Sequence, residues 1–356
     1  MAIKINSIQG VSTMSVNGTN RYPRVDPRIN RRQNPLWTFP DTFQGTVAGY
    51  ASGAPPATNV IDKFPFASDA NATDVGNLSV ARFGGAGQSS GVSGYTSGGY
   101  IPPAGYSNVI DKFPFASNGN ATDVGDLSVA RFSAAGQSSN VSGYASGGFS
   151  AAPPTSAPVA WRTTIDKFPF ATDSNATNIG ALTLARRYSA GQSSDVSGYT
   201  SGGQRTPQPS PPINTFLVNN IDKFPFATDA GATDVGDLVL LSYATAGQSS
   251  TVSGYTSGGA GRTPPGLPTA TFPVIIRNNI EKFPFATNAN ATDIADLTVT
   301  RQEVAGQSST VSGYTSGGYA PPTVSTIDKF PFASDTNATD VGDLSSVRSG
   351  VVGQQD

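Results

Sequence analysis

Apolar and polar residues alternate in short runs along most of this chain. In Ile61-Asp62-Lys63-Phe64-Pro65-Phe66 the two Phe side chains fall on one face and Lys63 on the other, the period of a half-buried strand. Pro65 lacks an N–H, so one donor position of that strand stays unpaired. The run is one of six. The string I-[DE]-K-F-P-F-A-[ST] begins at Ile61, Ile110, Ile165, Ile221, Ile280 and Ile327, with spacings of 49, 55, 56, 59 and 47 residues. Downstream comes A-T-[DN]-[VI]-[GA]-x-L, as in Ala121 to Leu127. Then follow A-G-Q-S-S (from Ala86, Ala135, Ala190, Ala246 and Ala305) and G-Y-[TA]-S-G-G (from Gly94, Gly143, Gly198, Gly254 and Gly313). Each unit therefore holds four strand-like runs punctuated by Gly, Pro, Asn and Asp. Four strands in about 50 residues is the period of one propeller blade.

The repeat is entered midway, at Gly49-Tyr50-Ala51-Ser52-Gly53, and left at Val351-Val352-Gly353-Gln354-Gln355, in the place of A-G-Q-S-S. The two fragments are complementary. The expected fold is therefore all-β: a six-bladed propeller over residues 46–356, closed by the C-terminal strand joining the N-terminal blade, so that no strand edge is left open. Residues 1–45 are expected to form an extended N-terminal arm. The layout G-Y-x-S-G-G, I-D-K-F-P-F and D-V-G-D-L-S-V-A-R resembles the kelch repeat, in which a strand ends in Gly-Gly and the fourth strand ends near an Arg. More loosely, the wording resembles repeats of marine bacteriophage virion and bacterial surface proteins.

Composition narrows the chemistry. Glu occurs only at Glu281 and Glu303, charged residues make up 13 %, and Gly and Pro number 40 and 27, so a helix-rich fold is excluded. With 19 Phe, 12 Tyr and a net charge of -2 the chain does not read as disordered. There is no Cys and no His, which removes disulfides, thiolate nucleophiles, Ser-His-Asp triads and imidazole metal clusters. Sialidase-type boxes are absent, and the Asp residues are nearly all repeat positions, poor candidates for one catalytic dyad. No enzyme, cofactor or metal is expected. No apolar run is long enough to span a membrane.

The repeated polar residues have structural readings. Six Tyr and twelve Phe at fixed phase read as core between blades. Asn71, Asn120, Asn175, Asn290 and Asn337 each stand in N-A-T and read as turn residues capping their own backbone, with Gly231 as the sixth copy supplying a positive φ. Calcium ligation and glycosylation are the competing readings of the same stretch. Arg82, Arg131, Arg186, Arg301 and Arg348, with Ser242 sixth, read as partners of an Asp in the adjacent blade, against a cation ring as the functional alternative.

Function on a symmetric scaffold is sought where symmetry breaks. The loops between the second and third strands run 7, 10, 16, 17, 20 and 8 residues (54–60, 100–109, 149–164, 204–220, 260–279 and 319–326). They are expected on one face with the turns that follow the fourth strands. Their candidate binding residues are Tyr100, Tyr106, Phe149, Trp161, Arg162, Arg205, Phe216, Phe272 and Arg277, an aromatic-plus-Arg composition suited to a docking surface. Residues 1–45 hold Lys4, Arg21, Arg24, Arg28, Arg31 and Arg32 against Asp26 and Asp41, a net +4 that leaves -6 for the rest. The five arginines are the candidate assembly contacts, and +4 without a basic motif does not argue for nucleic acid. The expectation is a non-enzymatic virion structural or recognition protein of tail, fibre or decoration type. It would be made in the host cytoplasm and displayed on the particle in a multi-subunit assembly, with other virion proteins or a host-surface glycan as partners. A lectin-like extracellular bacterial propeller is the alternative, and a polysaccharide hydrolase or lyase the third reading.

Overall fold

The computed structural model describes residues 4–8, 11–16, 19–21, 44–150, 160–205, 217–262 and 274–356. The chain divides into two compact units, Met1–Pro40 and Asp41–Asp356. In the first, residues read from the sequence as part of an extended arm form three short strands, Lys4–Ile8, Val11–Val16 and Thr19–Arg21. They pair antiparallel in chain order, Ile8 opposite Val11 and Val16 opposite Thr19. Arg24, Arg28, Arg31 and Arg32 lie outside the described residues.

The second unit is all-β, with no helix among its described residues. Its frame is six four-stranded antiparallel sheets. A representative one runs Ala86–Ser89, Ser93–Ser97, Val109–Pro114, Thr122–Asp126 in spatial as well as chain order. Counted from the N-terminus this is the second sheet. The first is Val352–Gln355, Ala48–Ala54, Thr58–Pro65, Thr73–Asn77, with Val352 opposite Ser52 and Gln355 opposite Gly49. The C-terminal strand therefore supplies the first strand of the first sheet.

Each sheet packs on the next through its aromatics. Tyr50 of the first sheet lies 5.5 Å from Phe113 and 4.9 Å from Phe115 of the second, ring centre to ring centre. The same triplet joins every successive pair, and Tyr314 of the sixth sheet meets Phe64 and Phe66 of the first at 5.6 and 4.7 Å. Each ring pair contributes about 0.5–1.5 kcal/mol beyond its area burial.

The first strands require small residues because their backbones nearly touch. A Cβ on Gly136 would sit 2.1 Å from the carbonyl oxygen of Gly87, one on Gly87 2.1 Å from that of Gly353, and one on Gly353 2.1 Å from that of Gly306. Only glycine permits that approach. Their outer edge is satisfied by serine: the Ser89 N–H donates to Ser138 Oγ at 2.9 Å, and so on to Gln355, whose N–H donates to Ser89 Oγ at 3.0 Å.

Candidate functional site

Most recurring polar side chains are committed to the junctions between sheets. Arg131 after the second sheet pairs with Asp166 of the third at 2.8 Å, both fully buried. Arg82–Asp111, Arg186–Asp222 and Arg301–Asp328 repeat this at 3.1, 3.0 and 2.9 Å, and Arg348 pairs with Asp62. The glutamines act likewise: Gln88 Nε2 donates to the Tyr144 carbonyl of the next sheet at 2.9 Å, and Gln354 does so to Tyr95. The asparagines correct one expectation. Asn120 Oδ1 accepts from the Asn77 N–H and Asn175 Oδ1 from the Asp126 N–H, so the caps fall on the neighbouring sheet's fourth strand. The strand end of one sheet lies against the turn of the next, which brings that donor within reach. Gly231 is not in the left-handed region either; there a Cβ would lie 3.2 Å from the Ala181 carbonyl oxygen.

Exposed Lys–Asp pairs also cross four junctions, as in Lys112–Asp173 at 2.9 Å. Where the next sheet's Asp is replaced by Asn118 or Asn288, the Lys63 and Lys223 ammonium groups lie over the rings of Tyr50 and Tyr199, at 5.4 and 5.7 Å.

One junction departs from the rule. Between the fourth and fifth sheets the Arg is Ser242 and the Asp is Glu281, whose Oε2 accepts the Val239 N–H at 2.7 Å. Arg277, expected on an exposed loop face, is buried instead, because it belongs to this junction. No Arg–Asp pair forms here. Burial therefore raises the Glu281 carboxyl to about 7, with Asp293 adding to the shift and Arg277 opposing it. The folded state thus holds its proton above the unfolded chain's 4.5, and stability falls as pH rises from about 4.5 to about 7, by up to roughly 3 kcal/mol from this group. Glu281→Gln is expected to match the wild type in urea unfolding at pH 4.5 and to exceed it at pH 8. Equal stability at pH 8 would rule out an ionising Glu281.

Symmetry breaks on the face carrying the loops. Two-residue strands extend the loops into hairpins: Tyr100–Ile101 with Gly105–Tyr106, and Phe149–Ser150 with Ala160–Trp161. Bridges Phe83↔Tyr100 and Phe132↔Phe149 tie these hairpins to the turns after the fourth strands. The result is one continuous aromatic surface. Phe83 touches Tyr100 and Phe132 at 5.5 and 5.8 Å, and Tyr106 touches Tyr100 and Phe149 at 5.6 Å each. Phe149 meets Trp161 at 5.8 Å, and Phe132 meets Tyr188 at 5.5 Å. The Arg187 guanidinium lies 4.6 Å from the Phe149 and Trp161 rings and 4.9 Å from Tyr188. All of these rings are partly exposed.

Of the expected loop residues, Tyr100, Tyr106, Phe149 and Trp161 are thus brought together. Arg162 Nε donates to Ser150 Oγ at 2.7 Å, holding its hairpin, and Arg205 is half-buried opposite Arg186. Phe216 and Phe272 lie outside the described residues. Sequence reasoning missed Phe83, Phe132, Arg187, Tyr188 and Glu303. A signal existed: the second residue after the repeat Arg position takes five identities in six copies (Gly84, Ser133, Tyr188, Ala244, Glu303, Gly350), three residues before the Gly-Gln present in every copy.

Those six residues share one conformation. All lie in the left-handed region, at φ between 55° and 62°. Each N–H donates to the carbonyl of its counterpart in the preceding repeat, Ser133 to Gly84 at 2.7 Å through to Gly350 to Glu303 at 2.8 Å, and Gly84 donates to Gly350 at 3.0 Å. They surround a cavity of about 120 Å³ walled by Phe83, Phe132, Tyr188, Thr245 and Glu303. No family model matches this chain, and no curated protein shows significant sequence similarity to it. No helix among the described residues is long and apolar enough to cross a membrane.

Proposed function

We propose that the six sheets are the blades of a kelch-like β-propeller, closed where Val352–Gln355 completes the first sheet, and that the protein is a non-enzymatic recognition module. The Tyr–Phe–Phe triplet found at every other junction also joins the sixth sheet to the first, and Arg348–Asp62 repeats there the ion pair of four other junctions, which supports closure. One observation carries the functional reading: the non-repeating aromatics and Arg187 gather on one side of one face, whereas the repeated polar residues are spent on structure. Partly exposed rings anchored on hairpins and short turns offer contact area at little ordering cost.

The setting we propose is a virion surface, as a tail, fibre or decoration protein. Support comes from the repeat wording and the +4 charge of residues 1–45, which suits docking to an acidic neighbour. A lectin-like module is the second reading, because tyrosine, tryptophan and arginine faces also stack on sugars.

Trp161→Ala tests the face. Trp161 is half-buried against Phe149 and Arg187, so stability should change by about 1 kcal/mol or less while binding loses about 2 kcal/mol. The readouts are thermal melting, incorporation into purified particles by mass spectrometry, and glycan-array binding. Loss of incorporation supports the virion reading and loss of glycan signal the lectin. A variant unchanged in all three removes the face from the account.

A further inference from the structure

The cavity at the centre of this face has a chemistry of its own. Left-handed φ costs any non-glycine residue about 1–2 kcal/mol, and glycine at Gly84 and Gly350 shows that the ring of hydrogen bonds does not need a side chain. Four positions nevertheless carry one: Ser133, Tyr188, Ala244 and Glu303. Strain retained where a cheaper residue fits points to a role for the side chain.

Among the described residues, Glu303 is the only charged one lining the cavity. Its Oε2 accepts Ser349 Oγ at 2.9 Å, and among the described residues it joins no ion pair, unlike the carboxylates of the Arg–Asp junctions. Thr245, only 8 % exposed, lines the same cavity with a buried Oγ1 that has no hydrogen-bond partner. The remaining wall includes the rings of Phe83, Phe132 and Tyr188. A carboxylate without a cation, an unused hydroxyl acceptor and aromatic rings all favour positive charge with N–H donors. The space of about 120 Å³ suits a head group of a few heavy atoms.

We propose that this cavity is a binding site for an organic cation, a guanidinium or primary ammonium group, held by Glu303 and Thr245 and enclosed by the rings of Phe83, Phe132 and Tyr188. The proposal rests on reading this face as a recognition surface. The cation comes either from a free small amine or from an arginine or lysine side chain of a docked protein.

Calorimetric titration of the full chain with methylguanidinium, n-butylammonium and an arginine-containing peptide, at matched ionic strength, tests it. Urea and a methyl glucoside serve as neutral probes. The cations should bind and the neutral probes should not. Glu303→Gln, which keeps an acceptor for Ser349, should weaken the cations at least tenfold, and Thr245→Val several-fold. Glu303→Gly should abolish binding yet raise the melting temperature by relieving the strained φ. A peptide that binds more tightly than methylguanidinium, and loses that excess in Trp161→Ala, assigns the cation to a protein partner; equal affinities assign it to a free amine. Urea binding as well as methylguanidinium, or an unchanged Glu303→Gln affinity, overturns the site. If methylguanidinium binds while Trp161→Ala leaves particle incorporation and glycan binding intact, the cation site stands and the docking reading fails.

Discussion

Asp166→Ala is expected to destabilise the protein by about 3–5 kcal/mol, close to the whole margin of many domains. The Asp166 carboxylate is fully buried, pairs with Arg131 at 2.8 Å, and accepts the Ser128 N–H at 2.8 Å and its hydroxyl at 2.6 Å. Arg131 in turn donates to the carbonyls of Ala145, Gly147 and Thr164 in the third sheet. Removing the carboxylate leaves a guanidinium in a site whose burial already disfavours its charge and lowers its pKa. The exposed pair Lys167–Asp229, at a comparable 2.9 Å, gives the contrast: Asp229→Ala should cost about 0.5 kcal/mol or less. Urea unfolding of both variants checks the pair. A loss below about 1 kcal/mol for Asp166→Ala would show that these ion pairs do not hold the junctions.

The four-strand grammar was legible because its physical demands recur at fixed phase: small residues where backbones approach, aromatics between sheets, Pro and Gly at turns. So was the partnership of the repeated Arg with an Asp of the adjacent sheet, since an unpaired buried cation could not recur five times. The asparagine caps were read onto the wrong backbone, because a turn motif carries no information about which neighbour lies alongside it. Arg277 was misplaced for a related reason: its loop looks exposed until Ser242 and Glu281 are seen to share its junction. The residues around the cavity are not legible from loop length, because Tyr188 and Glu303 occupy a short turn whose significance is conformational. Only backbone geometry shows that six positions holding five residue types adopt one left-handed φ.

Closure is the central claim, and the C-terminal strand carries it. Gly353 fills the gap between Gly306 and Gly87, Gln354 Nε2 donates to the Tyr95 carbonyl at 3.0 Å, and Val352 pairs with Ser52. A chain ending at Arg348 would expose the edges of the first, second and sixth sheets together, so it should lose several kcal/mol or aggregate. The most direct measurement uses the absence of native cysteine. Ser52→Cys with Val352→Cys places the only two thiols in the protein on opposed residues of neighbouring strands, within disulfide reach. Under mild oxidation the account predicts a linked monomer, of altered mobility on non-reducing gels, that unfolds at higher urea than its reduced form. Thiols that stay free, or that link only between chains, would contradict it.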